Sequence, residues 1–120
     1  MNLADYAYLG APNRTHRKIQ FGDYENDGDV VAQEEANAIS SDDPTDPDRH
    51  WPVIDIDLPI RVIPSSTPGH NHLYLDVPLS TAVFMDLLDA LVAAGLVEEG
   101  FAQGSRRRGH ADLRMPHVKK

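Results

Sequence analysis

Cysteine is absent from this 120-residue chain, which excludes disulfide bonds, zinc–thiolate sites and thiol catalysis. Long apolar runs are missing too, because no stretch approaches the roughly 18–20 residues that a membrane-spanning helix needs. The chain also lacks a basic start followed by an apolar stretch, which is the pattern of a secretory signal peptide. These absences predict a cytoplasmic protein with no membrane partner.

Sequence motifs for nucleophilic catalysis and nucleotide binding are also missing. The chain contains no Gly-x-Ser-x-Gly, no phosphate-binding P-loop and no Gly-x-Gly-x-x-Gly. Ser65 and Ser66 lie near His70 and His72 in the sequence, but turns commonly hold serine for hydrogen bonds to their own backbone. We therefore assign no catalytic residue from the sequence.

Basic residues are scarce. The chain has 11 Lys and Arg against 19 Asp and Glu, a formal net charge of −8 that disfavours a protein coated by nucleic acid. Residues 1–50 carry 11 acidic and four basic side chains, whereas residues 51–120 are nearly balanced. The acidity therefore belongs almost entirely to the first half of the chain.

That first half also has little material for a core. Between Gly22 and His50 the only large aliphatic or aromatic residues are Tyr24, Val30, Val31 and Ile39. Low hydrophobicity with charge of one sign does not offset a chain entropy of about 1–2 kcal/mol per ordered residue. We expect residues 1–50 to be an acidic, mostly flexible segment, disordered or loosely attached, with a short helix at 31–38.

From Trp51 onward the pattern changes to that of a folded domain, residues 51–120. Residues 53–58 and 60–63 alternate between apolar and polar side chains, which predicts a strand interrupted at Pro59. A turn signal at 64–69 and a second strand at 70–77 follow. Two strands joined by a short loop predict an antiparallel hairpin.

An amphipathic helix is predicted over 81–94. Apolar residues recur along one face from Val83 to Val92, Ser80 stands at the N-cap position, and Gly95 stands where a left-handed residue would end the helix. A glycine-containing loop and a final strand at 110–115 complete the pattern. The sequence thus predicts a small α+β domain, a two-layer β-β-α-β sandwich with one helix on a three-stranded sheet.

One face of the predicted hairpin carries polar side chains. With leucines on the opposite parity, we expect this face to hold carboxylates, imidazoles and the phenol of Tyr74. Such a face could bind Mg²⁺, Mn²⁺ or Zn²⁺, or it could be an ordinary solvated surface. The candidate metal ligands are Asp55, Asp57, His70, His72 and Asp76.

A basic cluster lies near the C-terminal end, and it consists of Arg106, Arg107, Arg108 and Arg114. Guanidinium groups match phosphate oxygens, so the cluster predicts contact with phosphate or with an acidic partner. The alternative is a flexible charged loop. No aromatic residue is interleaved with the arginines, which argues against a surface for stacking single-stranded bases.

The second half of the chain resembles a family of small uncharacterised proteins encoded by actinobacteriophages. The residues that carry the resemblance are Asp55-Ile56-Asp57, the segment from Pro64 to Pro78, the amphipathic helix, the arginine-rich segment and the terminal Val118-Lys119-Lys120. The resemblance covers about residues 51–120. It implies a phage origin and the host cytoplasm as location, and it implies no particular reaction.

The same region also resembles primase-polymerases of the archaeo-eukaryotic type. Those enzymes place an Asp-x-Asp strand for metal beside a strand whose histidine contacts nucleotide phosphates, and Asp55, Asp57, His72 and Tyr74 match both motifs. Only 14 residues separate Asp57 from His72, however, which leaves no room for the helix that the enzymes fit between the two strands. The resemblance therefore implies shared strand order more than shared chemistry.

These observations lead to three functional expectations. The first is a non-catalytic interaction module that binds a host or phage protein, and the exposed strand edges also indicate a homodimer. The alternative is a nucleic-acid-binding module that uses the basic cluster. The second alternative is a metal-dependent phosphoryl-transfer site on Asp55, Asp57 and His72.

Overall fold

The computed structural model describes residues 1–23 and 25–118, so Tyr24, Lys119 and Lys120 lie outside the described residues. The chain divides into two compact units, Met1–Asp55 and Ile56–Lys120. Helices occur together with short antiparallel strand pairs, which confirms the predicted α+β class.

The first unit is built from short elements joined by turns. The strand at Thr15–Lys18 is central in a three-stranded antiparallel sheet, between the strands at Asp29–Val30 and Ala38–Ser40. The strand at Asp42–Asp43 pairs with that at Asp46–His50 in a separate two-stranded sheet. A short 3-10 helix spans Gln33–Glu35, within the stretch where the sequence predicts a helix at 31–38. The other elements are α1 (Leu3–Leu9), β1 (Thr15–Lys18), β2 (Asp29–Val30), β3 (Ala38–Ser40), β4 (Asp42–Asp43) and β5 (Asp46–His50).

This regular structure differs from the flexible segment expected over residues 1–50, and local hydrogen bonds explain the difference. Asp43 Oδ1 accepts bonds of 2.8 Å from both the backbone N–H and the hydroxyl of Thr45, and Asp46 Oδ1 accepts the N–H of Asp48 at 2.9 Å. Thr15 is the only residue of this unit that is buried, within the part of the chain described. Polar side chains thus order turns that a count of apolar residues does not foresee.

The second unit opens with the predicted hairpin. Strands β6 (Ile60–Pro64) and β7 (Asn71–Leu75) are antiparallel, with Val62 opposite Leu73. Gly69 has a φ of +80°, which a left-handed turn position requires. Residues 51–59 form no strand, so the first part of the predicted strand is wrong. Pro59 has no N–H to donate, so the pairing of the two strands ends at this residue. The last hydrogen bond of the pair runs from the N–H of Asp76 to the carbonyl of Pro59, at 3.3 Å.

Helix α2 spans Thr81–Ala93 and confirms the prediction for 81–94. The hydroxyl of Ser80 accepts the N–H of Val83 at 3.2 Å, as expected for an N-cap. At the other end Gly95 has a φ of +79°, and the N–H groups of Gly95 and Leu96 donate to Val92 and Leu91 at 2.9 Å. These two bonds form a Schellman motif, which satisfies carbonyls that the helix end leaves free.

A second helix, α3 (Glu99–Arg108), replaces the predicted loop, and residues 110–115 form no strand. Helix α3 packs on α2, with Ala102 and Ser105 buried near the buried Leu88. Small side chains let two helices approach closely, and their presence beside glycines is what made the segment look like a loop. The predicted β-β-α-β order is therefore β-β-α-α, and the sheet of this unit has two strands among the described residues.

Candidate functional site

The basic cluster begins in the last turn of α3 rather than in a loop. Arg106, Arg107 and Arg108 are the last three residues of that helix, and Gly109 ends it at a φ of +83°. A helix C-terminus carries partial negative charge from its free carbonyls, so cations are stabilised there. The three arginines thus stabilise the C-terminal end of α3, in addition to any binding role. The prediction that they lie in a loop is wrong, because they are helical.

Two of the four arginines are held by carboxylates. Arg106 forms an ion pair with Asp89 of α2, and both side chains are about half exposed. The Nε of Arg108 lies 3.6 Å from Oδ2 of Asp112, whose Oδ1 is 3.0 Å from Nδ1 of His110. Arg107 and Arg114 have no hydrogen bond or ion pair to other described residues. The cluster therefore offers two uncommitted cations rather than four.

The predicted metal ligands are not gathered into a site. Asp55 and Asp57 lie outside any strand, His70 lies in the turn before β7, and Asp76 follows β7. Within residues 1–23 and 25–118, no three His, Asp or Glu side chains come close enough to share a metal ion. The alternating face that was expected to assemble carboxylates and imidazoles is therefore not formed, because its first strand does not exist.

The exposure of the hairpin differs from the prediction at its turn end. Ile63 and His72, opposite each other in the register, are half-buried. Nδ1 of His72 is buried and makes no hydrogen bond with any described residue. His72 also lines a groove with Phe101 and Leu113. Residues of the second unit therefore border this end of the polar face, whereas Tyr74 on the same face is 37% exposed.

The other face of the hairpin is mostly aliphatic and exposed, with Pro64 and Asn71 at its turn end. We refer to four of its side chains, two from each strand, as the apolar hairpin face. All four are at least one-third exposed in the second unit. They are Ile60 (43%), Val62 (55%), Leu73 (51%) and Leu75 (36%).

The sequence predicts part of this surface. Alternation in β7 places Leu73 and Leu75 on one side of the strand, as in the structure, but it predicts that this side faces the core. The second unit has only Leu88 and Ala102 as buried apolar residues in the described part of the chain. The two leucines therefore stay largely exposed.

A groove with both polar and apolar lining runs along β7. It is lined by consecutive residues 73–77 on the strand side, by Phe84 and Leu87 of α2, and by residues 109–111 after α3. Consecutive strand residues point to alternate faces, so a groove that touches all of them lies along the edge of the strand. The edge of β7 therefore borders a space rather than another strand.

The first unit has a different electrostatic character. Nη2 of Arg17 on β1 lies 2.5 Å from Oδ2 of Asp42, and this hydrogen bond lowers the pKa of the Asp42 carboxyl below its ordinary value. The hydrogen bonds from Thr45 lower the pKa of Asp43 in the same direction. Both carboxylates have structural partners, so neither one is a candidate ligand without displacement of those partners.

No described helix is both long enough and apolar enough to cross a bilayer. Comparison with known proteins adds no relative: no family model, no curated protein and no solved structure matches this chain. The candidate contact surfaces of the second unit are therefore the apolar hairpin face, the edge of β7 and the basic cluster.

Proposed function

We propose that the protein is a non-catalytic interaction module whose apolar hairpin face binds a host or phage protein. The observation that carries the proposal is the exposure of Ile60, Val62, Leu73 and Leu75 on one side of a two-stranded ribbon. Contiguous exposed apolar side chains favour protein contact, because each Å² removed from water contributes about 25 cal/mol.

The architecture of the second unit supports the same proposal. A lone two-stranded hairpin is marginal in water and gains stability when a face is covered. Here Leu88, Ala102 and Ser105 are the buried residues of the packed helices α2 and α3, and the aliphatic side of the hairpin stays largely exposed. A partner that covers this face removes apolar surface from water at little cost in desolvated charge, since none of its four side chains is polar.

The phage and host context rests on the resemblance of residues 51–120 to actinobacteriophage-encoded proteins. A small accessory protein that acts by contact in the host cytoplasm needs a surface rather than a catalytic centre. The metal-dependent alternative lacks support from the described residues, because Asp57, His70, His72 and Asp76 form no group that could hold an ion.

The test is capture from an actinobacterial lysate by the immobilised full-length chain, with quantitative mass spectrometry. We expect a protein that the wild type retains and Val62→Lys loses, because a charge in the centre of the face must be desolvated on binding. The matched control is Arg107→Ala with Arg114→Ala, which should retain the same protein. Purified partner and a measured Kd for each variant complete the experiment.

Two results contradict the proposal. Equal retention by the wild type and Val62→Lys means that the apolar hairpin face is not the contact surface. Loss of the partner in the double arginine variant, with Val62→Lys unaffected, assigns the contact to the basic cluster instead.

A nucleic-acid-binding module is the second candidate, and one observation favours it: Arg107 and Arg114 have no carboxylate partner among the described residues. Phosphate contacts release counterions, so such binding to a duplex oligonucleotide should weaken steeply with added salt. Arg107→Ala with Arg114→Ala should flatten that dependence. Salt-independent or undetectable binding of the oligonucleotide by the wild type excludes this candidate.

A further inference from the structure

The hydrogen-bond register of the hairpin determines which backbone groups face outward. Backbone hydrogen bonds join Ser65 to His70 at the turn and Asp76 to Pro59 at the open end. Hydrogen-bonded and non-hydrogen-bonded pairs alternate along an antiparallel ladder. Between those ends the non-hydrogen-bonded pairs, whose N–H and C=O groups point away from the partner strand, are Ile60–Leu75, Val62–Leu73 and Pro64–Asn71.

On β7 these outward groups belong to Asn71, Leu73 and Leu75. None of them has a hydrogen-bond partner in the described part of the chain. The groove along β7 lies beside this row and is lined on its far side by Phe84 and Leu87. An unpaired row of donors and acceptors beside a groove has the chemistry to accept another strand.

The outer edge of β6 is protected, whereas that of β7 is not. Pro64 stands at an outward position and has no N–H to donate, Pro59 directly precedes the strand, and Arg61 adds a charge. Prolines and charges on an edge strand prevent the addition of further strands. Between Asn71 and Leu75 the sequence has neither proline nor charge.

We infer that the edge of β7 pairs antiparallel with β7 of a second copy, forming a four-stranded sheet across a two-fold axis at Leu73. In that register Leu73 lies opposite its own counterpart, and Asn71 of one copy lies opposite Leu75 of the other. All the outward groups of both strands are then paired. His72 lies opposite Tyr74, so no two like charges meet.

Two properties of the second unit, its balanced charge and its protected β6 edge, favour a second copy of the chain as the partner of the β7 edge. The second unit, residues 56–120, has seven acidic and seven basic residues, so its association with itself meets no net repulsion. The protected edge of β6 becomes the outer edge of the four-stranded sheet on both sides. Assembly therefore stops at two copies instead of continuing into a filament. The inference concerns the edge of the hairpin and goes beyond the partner proposed for its face.

A matched pair of proline variants tests the inference. Val62 and Leu73 lie opposite each other, are 55% and 51% exposed, and both direct their N–H outward. Proline at either position removes no hydrogen bond inside the hairpin, but only Leu73→Pro removes a donor from the β7 edge. The measurement is molar mass by light scattering across a dilution series of the full chain, with circular dichroism to verify folding.

We expect the wild type and Val62→Pro to have the mass of two 13.3-kDa chains and Leu73→Pro to have the mass of one. If a proline variant does not fold, Leu73→Lys and Val62→Lys serve instead, since the first brings two ammonium groups together on the axis. Amide hydrogen exchange should show protection of Leu73 and Leu75 that increases with concentration of the wild type.

Three outcomes overturn the inference. One is a wild-type chain that remains monomeric at every concentration. Another is equal dissociation by Val62→Pro and Leu73→Pro. The last is protection of the β7 amides that appears only when a captured partner is added, which assigns the edge to that partner. The proposed function is tested separately with Val62→Lys. The proposed function predicts that this variant loses the partner protein, and the inference predicts that it remains dimeric.

Discussion

At the scale of single residues, the acidic side chains of the first unit act as hydrogen-bond acceptors. Asp23 accepts the N–H of Glu25 at 3.1 Å and the side-chain amide of Asn26 at 2.6 Å, and the bond from Asn26 lowers the pKa of the Asp23 carboxyl most. Asp43 additionally accepts the indole N–H of Trp51 at 3.2 Å. Such carboxylates hold turns in place while they are ionised, so the structure of this unit is linked to pH.

The pairing of Arg17 with Asp42 leads to a prediction about acid stability. Because the pKa of Asp42 is lower in the folded state, its contribution to stability is present above the ordinary pKa. That contribution is lost as the pH falls below about 4, through the folded-state pKa. Substitution of Arg17→Met removes the hydrogen bond that lowers this pKa most. We expect the pKa of Asp42 to rise towards its ordinary value in this variant.

The measurement is an NMR titration of the Asp42 carboxyl carbon. Arg49→Met is the control, since Arg49 pairs with Asp46 and not with Asp42. The Nε of Arg49 lies 3.6 Å from Oδ2 of Asp46. An Asp42 pKa that is unchanged in Arg17→Met, or shifted as much by Arg49→Met, contradicts the prediction.

At the scale of secondary-structure elements, the sequence predicts well what is local and poorly what depends on packing. The limits of α2 follow from Ser80 and Gly95, and the hairpin follows from its alternation and its turn, because each signal lies within a few residues. Helix α3 could not be predicted in this way. Its glycines and arginines have loop-like composition, whereas Ala102 and Ser105 are buried in a helix that packs on α2.

The candidate site illustrates the same limit. The alternation of apolar and polar residues shows which side chains share a face of the hairpin, but it does not show which face is covered. The groove beside His72 is lined by residues 96–98, 101 and 113–116, which are distant in sequence. The prediction of a wet polar face is therefore wrong at His72, and the leucines of the other face are exposed, although the parity of the side chains is right.

Gly95, which follows α2, and Gly100, in α3, should respond oppositely to substitution by alanine. A Cβ added at Gly95 or at Gly100 would meet no atom within 4 Å, so neither change causes a steric clash. Gly95 has a φ of +79°, where alanine costs about 1 kcal/mol, whereas Gly100 is the second residue of α3, where alanine stabilises by at most about 0.5 kcal/mol.

Chemical denaturation of both variants checks this expectation. Gly95→Ala should unfold at lower urea concentration than the wild type, and Gly100→Ala at equal or higher concentration. A loss of stability in both would mean that the Schellman motif is not the feature that distinguishes the two positions.

At the scale of the whole molecule, two units with different physics share one chain. The first, residues 1–55, has 12 acidic against four basic residues and no buried apolar side chain in its described part. The second is electrically balanced and contains the buried Leu88 and Ala102. Hydrogen bonds and ion pairs hold the first unit, while helix packing and a hairpin form the second. The proposed contacts with partners both belong to the second unit.

The difference in charge makes the two units respond differently to salt. Raising the salt concentration from about 0.01 M to about 1 M shortens the Debye length from about 30 Å to about 3 Å. Screening relieves the repulsion among the excess carboxylates of the first unit, and the exposed Arg49–Asp46 pair contributes too little to offset that gain. The amides of β1–β5 should therefore exchange more slowly with deuterium at high salt, while those of α2 and α3 change little. Faster exchange of β1–β5 at high salt would mean instead that specific ion pairs, chiefly Arg17 with Asp42, outweigh the repulsion.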